Sequence, residues 1–104
     1  VKLRDAKDPE KKQTLEVQGV FIFTGNIPNT GFVDGIIDRD KGGFITVDNK
    51  MQTSEKGIFA CGDCTGKLLR QVVTACGDGA IAAFAAEQYI EGLKGSSYTP
   101  WEKP

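Results

Sequence analysis

The residues best suited to chemistry lie where a short apolar run ends in Gly62-Asp63 and a helical pattern begins a few residues later. The run Ile58-Phe59-Ala60-Cys61 predicts a short buried strand, which would place Asp63 at its carboxyl end. In open α/β sheets, ligands bind at that end. An ionised Asp only accepts hydrogen bonds, so it suits a ligand that offers hydroxyl donors. Gly62 would allow such a ligand to approach closely because it has no Cβ.

The helical pattern opens with Arg70, Gln71 and Val72, which supply a second set of groups. The first N–H groups of a helix lack internal partners and carry partial positive charge, so they suit an anion or an electron-rich carbonyl. Gln71 could bond the edge of a ligand ring, and Arg70 could reach a pyrophosphate or a neighbouring carboxylate. Ordinary structure is the alternative at both places, because Asp63 can serve as a turn residue or helix cap and Arg70-Gln71 as an exposed pair.

Three cysteines and no histidine restrict the chemistry further. Cys61 and Cys64 form a Cys-x-x-Cys, which can be a redox pair near a helix N-terminus or half of a zinc site. No histidine or second pair completes a zinc site, so we predict no metal. Inert thiols are favoured over an active dithiol, with Cys61 buried in the apolar run and Cys76 packed inside the helix. The odd cysteine count favours a reducing cytosol.

Composition excludes several classes of partner. The net charge is -1, and no basic cluster is longer than Lys11-Lys12, which argues against nucleic acid and anionic membranes. No apolar run approaches the length of a membrane span. Hydrophobic residues make up 39% of the 104 residues, so a real but small core is expected.

Short strands and one long helix must position the candidate groups. Residues 1–4 and 14–17 predict a hairpin across a charged turn, and Val20-Phe21-Ile22-Phe23 predicts a strand buried on both faces. Phe44-Ile45-Thr46-Val47 predicts a further strand, and residues 32–37 are ambiguous, with a helical turn as one interpretation. Residues 24–30 have the composition of a loop and form our candidate boundary between two structural units.

A helix rich in small residues is predicted from Arg70 to Gly92, and Gly92 or Gly95 fits its stop. Gly77 and Gly79 are costly inside a helix, which indicates close approach to a sheet or a bound molecule. The polar tail that follows could be loose, or its Trp101 could dock on the body.

Together these patterns resemble the C-terminal part of low-molecular-weight thioredoxin reductases, which are FAD-dependent pyridine nucleotide-disulfide oxidoreductases. The resemblance runs through nearly the whole chain and is carried by residues 19–30, residues 53–63 and residues 70–80. The Arg70-Gln71 pair is the more specific part, because a Gly-Asp motif occurs across many flavoprotein disulfide reductases.

The resemblance implies an α/β fold: a fragment of a three-layer, Rossmann-like fold that binds FAD or NAD(P), with short strands and one long C-terminal helix. Residues 1–25 would end the NADPH-binding domain, and residues 26–104 would form the C-terminal part of the FAD-binding domain. Asp63 would hold the ribityl chain of FAD, beside Gly62. Gln71 and Val72 would contact the flavin ring, and Arg70 would lie close by. No catalytic residue is expected, because the catalytic Cys-x-x-Cys of the family lies in the NADPH domain.

Both dinucleotide fingerprints of the family are missing, since no Gly-x-Gly-x-x-Gly follows a strand. We therefore expect a truncated reductase that is inactive alone. The whole enzyme would pass electrons from NADPH through FAD to a thioredoxin-like disulfide protein. The fragment should expose an apolar face and hide it by dimerising or by swapping strands, and a homodimer is expected.

Other functions remain open from the sequence. Within flavoenzymes, they are a ferredoxin–NADP reductase and the flavoprotein partner of a peroxidase. Outside that class, they are a non-enzymatic interaction domain and a thiol redox module that uses Cys61 and Cys64.

Overall fold

The computed structural model describes residues 1–95, so the predicted tail and its Trp101 lie outside the described residues. Regular structure in the described part begins with two strands, β1 (Lys2–Arg4) and β2 (Lys12–Thr14). Two single-turn 3₁₀ helices follow, at Gly31–Val33 and Gly62–Cys64, and then one long helix, α1 (Val72–Leu93).

The predicted hairpin is confirmed, with a shorter second strand than expected. β1 and β2 pair antiparallel, with Lys2 opposite Thr14 and Arg4 opposite Lys12. The carboxylate of Asp5 accepts the backbone N–H of Lys7 at 2.8 Å, which holds the charged turn. β2 begins two residues before the predicted 14–17 and ends at Thr14. Leu15 still exchanges backbone hydrogen bonds with Val1, at 2.9 Å and 2.7 Å, so the prediction is wrong only for residues 16 and 17.

The predicted buried strand at residues 20–23 is wrong. Residues 16–29 make no backbone hydrogen bond within the described part of the chain. Phe21 and Phe23 are 87% and 89% exposed, with their rings stacked 6.2 Å apart. A strand needs a neighbouring strand to pair with its N–H and C=O groups, and the described residues supply none here.

Residues 30–66 form a compact loop region with a small core that contains Ile37 and Ile45. The carboxylate of Asp40 accepts the N–H groups of Gly42 at 2.8 Å and Phe44 at 2.9 Å. Local bonds of this kind give turns without a sheet. The ambiguous residues 32–37 do begin in a 3₁₀ turn, as one interpretation expected.

The two further predicted strands are reduced to isolated bridges. Ile45 bridges Arg39 and Thr65, and Gln52 bridges Phe59. Ile58 and Cys61, which were expected to be buried, are exposed. The sequence of these segments suits strands, but the described residues offer each of them too few paired neighbours to extend a ladder.

The predicted long helix is confirmed. It begins at Val72, two residues after the predicted start, and ends at Leu93, one residue after the predicted end. Gln71 is the N-cap residue, and Lys94 is the C-cap residue. Gly95 has a φ of 75° and donates its N–H to Gly92 at 3.2 Å, so it ends the helix in the left-handed conformation that glycine permits. Ala82 and Ala85 lie on its buried face.

The fold leaves much apolar surface uncovered. The accessible area is 8837 Å², whereas a compact monomer of 11.2 kDa exposes about 5,700 Å². The radius of gyration is 21.3 Å, against about 13 Å for a compact domain of this length. Large hydrophobic side chains such as Phe21, Ile27 and Leu68 are 87%, 94% and 103% exposed, which agrees with the expected exposure of apolar surface. Of the expected layered fold, the described part contains one small sheet and one long helix.

This exposure predicts self-association of the isolated chain, because large apolar patches mark interaction surfaces or aggregation sites. Sedimentation velocity across a concentration series should show a homodimer or larger species. The double variant F21S/F23S should shift the distribution toward monomer and lower the binding of a hydrophobic dye. A wild-type chain that stays monomeric at high concentration and binds no dye would contradict this expectation.

Candidate functional site

The Gly62–Cys64 turn is the centre of the candidate site. Gly62 is buried and has a φ of 80°, a backbone conformation that favours glycine. Thr65 is 1% exposed, and its hydroxyl donates to the carbonyl oxygen of Gly62 at 2.8 Å. A Cβ added to Gly62 would lie 3.7 Å from the Cβ of Ala75, so the turn already lies in contact distance of α1.

Asp78 of α1 joins the helix to this turn. Its Oδ2 accepts the backbone N–H of Gly62 at 3.0 Å and also pairs with the ammonium group of Lys67. The two charged side chains are only 14% (Lys67) and 17% (Asp78) exposed. A buried carboxylate is costly unless it is paired and hydrogen-bonded, and here it is both.

Arg70 holds the other side of the turn. Its Nε donates to the backbone oxygen of Asp63 at 3.1 Å, and its Nη2 donates to that of Thr65 at 3.2 Å. The guanidinium carbon lies 3.8 Å from the centroid of the Phe44 ring, a cation–π contact. The sequence suggested that Arg70 reaches a pyrophosphate or a carboxylate. In the structure this side chain instead donates hydrogen bonds to two backbone carbonyl oxygens.

The Asp63 side chain lies between two surface depressions. One is lined by Asp63, Arg70, Phe44, Cys64 and residues 26–29, and the other by Asp63, Gln71, Val72, Ala75 and Cys76. The Asp63 carboxylate has no hydrogen-bond partner among residues 1–95, so its acceptor oxygens are available. Asp63 thus lies near Arg70 in one depression and near Gln71 and Val72 in the other, with Gly62 beside it in the chain. Their role in binding a cofactor stays a prediction.

The start of α1 supplies apolar surface and free donors to the second depression. The N–H groups of Val72 and Val73 have no partner within the described range, as expected for the first turn of a helix. Val72 is 82% exposed. The backbone N–H of Gln71 donates to the hydroxyl of Thr74 at 3.0 Å, which fixes the backbone where the helix begins. This surface can hold a flat, largely apolar ring with an electron-rich edge.

The three cysteines are free thiols. Cys61 and Cys76 are exposed, so their predicted burial is wrong. Cys61 follows a segment that makes a single bridge instead of a buried strand, and Cys76 lies on the side of α1 that borders a depression. The Sγ of Cys64 donates to the backbone oxygen of Cys61 at 3.3 Å, which engages that thiol as a hydrogen-bond donor.

Sequence reasoning missed Lys67 and Asp78. The two residues are separated by eleven positions, and only the packing of the turn on α1 brings them together. The available signal was Asp78 itself, a charged residue in the register of the buried Ala82 and Ala85, four and seven positions further on. Such a residue requires a partner.

No helix in residues 1–95 is long and apolar enough to cross a membrane. No group of three or more His, Cys, Asp or Glu side chains in the same range has an arrangement that could hold a metal ion.

Comparison with known proteins defines the family. The profile described as "Pyridine nucleotide-disulphide oxidoreductase" matches residues 2–79, which is most of the chain. The chain therefore belongs to the pyridine nucleotide-disulphide oxidoreductase family.

Individual relatives give the same result. The chain is 48% identical over 85 residues to a thioredoxin reductase of Peptoclostridium litorale, covering 82% of this chain and 26% of that one. It is 40% identical over 76 residues to an alkyl hydroperoxide reductase protein of Escherichia coli, covering 73% and 15%.

A crystal structure of Lactococcus lactis thioredoxin reductase matches with a TM-score of 0.71 and 37% identity, over 86% of this chain and 29% of that one. The resemblance to thioredoxin reductases is thus confirmed in sequence and fold. The chain spans less than a third of each of these three relatives.

The geometry of the turn predicts opposite effects for two glycine-to-alanine substitutions. Gly62→Ala should lower the free energy of unfolding by about 1–2 kcal/mol, because it forces a left-handed conformation on a residue with a Cβ. Gly77→Ala should raise it by about 1 kcal/mol, because Gly77 is inside α1 with open space around its Cβ position. Urea denaturation of both variants measures the difference. Equal effects would show that the backbone of Gly62 is not constrained.

Proposed function

We propose that this chain is the C-terminal, FAD-binding portion of an NADPH-dependent thioredoxin-disulfide reductase. The family match and the thioredoxin reductase relatives support the reaction class. The Asp63 carboxylate is the observation that supports a flavin site in this chain. Hydrogen bonds to Gly62 and to the Asp63 carbonyl oxygen fix the backbone around it. The carboxylate itself has no partner among residues 1–95.

The residues present fit a flavin. Asp63 would accept hydrogen bonds from ribityl hydroxyls, and Gly62 would leave room for the chain beside it. Gln71 and the exposed Val72 would contact the ring, with the free N–H groups of the first helical turn at its electron-rich edge. Arg70 would act indirectly, by holding the turn, because its Nε and Nη2 already donate to backbone carbonyls.

When bound, FAD supplies a redox centre that accepts hydride from a reduced pyridine nucleotide and passes two electrons to a disulfide. The residues described here bind and orient the cofactor. We assign the NADPH site and the reactive dithiol to other parts of the whole enzyme, which we propose is a cytosolic homodimer with a thioredoxin-like partner. Residues 1–25 would then end the NADPH-binding domain.

A second candidate is the flavoprotein reductase of a peroxidase, since the chain is also similar to the alkyl hydroperoxide reductase protein of Escherichia coli. The flavin site would be the same in both. Assays of the whole protein with NADPH and either a thioredoxin or a peroxidase as acceptor distinguish the two, because the partner that supports turnover identifies the reductase.

The flavin assignment predicts the effect of Asp63→Ala in the full-length protein. Losing hydrogen bonds to a charged acceptor should weaken FAD binding about 10- to 100-fold. Titration of the apoprotein with FAD, followed by flavin absorbance, gives the dissociation constant. Glu16→Ala, which removes an exposed carboxylate outside the candidate site, is the matched control and should bind like wild type. Unchanged affinity in Asp63→Ala would exclude the proposed role.

The cysteine geometry predicts that the double variant C61S/C64S of the whole enzyme keeps its turnover and its FAD content. The Cys64 thiol is engaged with a carbonyl, and neither cysteine is proposed to exchange disulfides. Steady-state NADPH oxidation with a disulfide substrate is the measurement. A large fall in kcat, with FAD still bound, would instead support the thiol redox module.

A further inference from the structure

Asp78 carries a partly buried negative charge that the proposed flavin contacts do not use. It lies on the same face of α1 as Ala75, Ala82 and Ala85, three or four positions from its nearest neighbours in that set. A small apolar side chain would fit the pattern of this face. An acidic residue at this position needs a counter-ion. It also makes a second bond, to the backbone, whose function has to be explained.

The second bond of Asp78 goes to the residue just before Asp63. Its Oδ2 accepts the N–H of Gly62 at 3.0 Å, from a position sixteen residues further along the chain. Gly62 has a φ of 80°, so this peptide determines the direction in which the chain enters the turn and hence where Asp63 lies. The bond therefore couples the orientation of a ligand-binding carboxylate to the body of the helix.

Lys67 completes the arrangement as the counter-ion. It pairs with the same Oδ2 and is as buried as its partner. Because Lys67 neutralises Asp78, the site has no second uncompensated negative charge that would repel Asp63 or the phosphates of the cofactor. The hydrogen bond to Gly62 and the ion pair to Lys67 thus have separable roles, one geometric and one electrostatic.

We propose that Asp78, with Lys67 as its counter-ion, is a positioning residue that orients Asp63 for flavin binding through the N–H of Gly62. The proposal rests on the proposed FAD site. It predicts that the hydrogen-bond acceptor at position 78 is essential for tight binding, whereas the charge pair is replaceable.

Two neutral double variants of the full-length protein separate these roles. K67M/D78N removes both charges and keeps an acceptor of nearly the same shape, so FAD affinity should stay within about 3-fold of wild type. K67M/D78L also removes both charges but leaves no acceptor, so affinity should fall about 5- to 10-fold, as expected for one lost hydrogen bond. Equal affinities in the two variants would overturn the proposal.

A double-mutant cycle tests whether Asp78 acts through Asp63. In a D63A background, K67M/D78N and K67M/D78L should bind FAD equally, because the group that is positioned has gone. The visible circular dichroism of bound flavin should change in K67M/D78L with Asp63 present and not in K67M/D78N. Additive losses in the cycle, or an unchanged flavin spectrum together with reduced apoprotein stability, would show a merely structural role.

The same series separates the failure of the flavin site from the failure of the positioning role. If D63A binds FAD like wild type, the proposed flavin site itself fails. If D63A weakens binding while the two variants at position 78 stay equal, the flavin site stands and only the positioning role is overturned.

Discussion

The candidate site depends on the fixation of one short turn from both sides. Asp78 bonds the N–H that precedes Asp63, and Arg70 bonds the carbonyl oxygens of Asp63 and Thr65. All these donors and acceptors are directional, so the backbone on each side of Asp63 has little freedom. The Asp63 carboxylate is placed without taking part in any of these bonds. A ligand that bonds this carboxylate would meet a backbone that is already fixed, so only the side chain of Asp63 would still have to be ordered.

The loop region that carries the turn is ordered mainly by polar bonds between side chains and backbone. Asp40 and Asp48 each accept two backbone N–H groups with one oxygen, and Thr53 donates to the carbonyl of Ile58. Such bonds act over a few residues and need no large core. This explains how residues 30–66 are locally ordered although few apolar side chains are buried. Because these bonds lie within residues 30–66, the exposed apolar segment at residues 20–23 is not needed for the local order of that region.

Sequence reasoning succeeded where the signal was local and failed where it required distant partners. The small-residue run predicted α1, and Gly95, one of two candidates, marks its end, because each signal lies within a few residues. Gly62-Asp63 was predicted to end a buried strand, and the turn observed there was the alternative interpretation. The strand at residues 20–23 was wrong because strand formation depends on a neighbour that the pattern cannot supply. The direction of the Arg70 side chain and the Lys67–Asp78 pair depend on how the turn packs on α1, which spacing alone does not reveal.

Helix α1 has exposed apolar residues on more than one face, which indicates that further protein or a ligand normally covers it. Its buried residues are Ala82 and Ala85, and Ala75 lies against the turn. Val73, Phe84 and Leu93 are exposed. A helix with apolar residues on more than one face is normally covered on more than one side. In the flavoprotein we propose, further sheet and bound FAD would cover these faces. The small residues of α1 would then let the turn, the cofactor and the sheet approach the same helix closely.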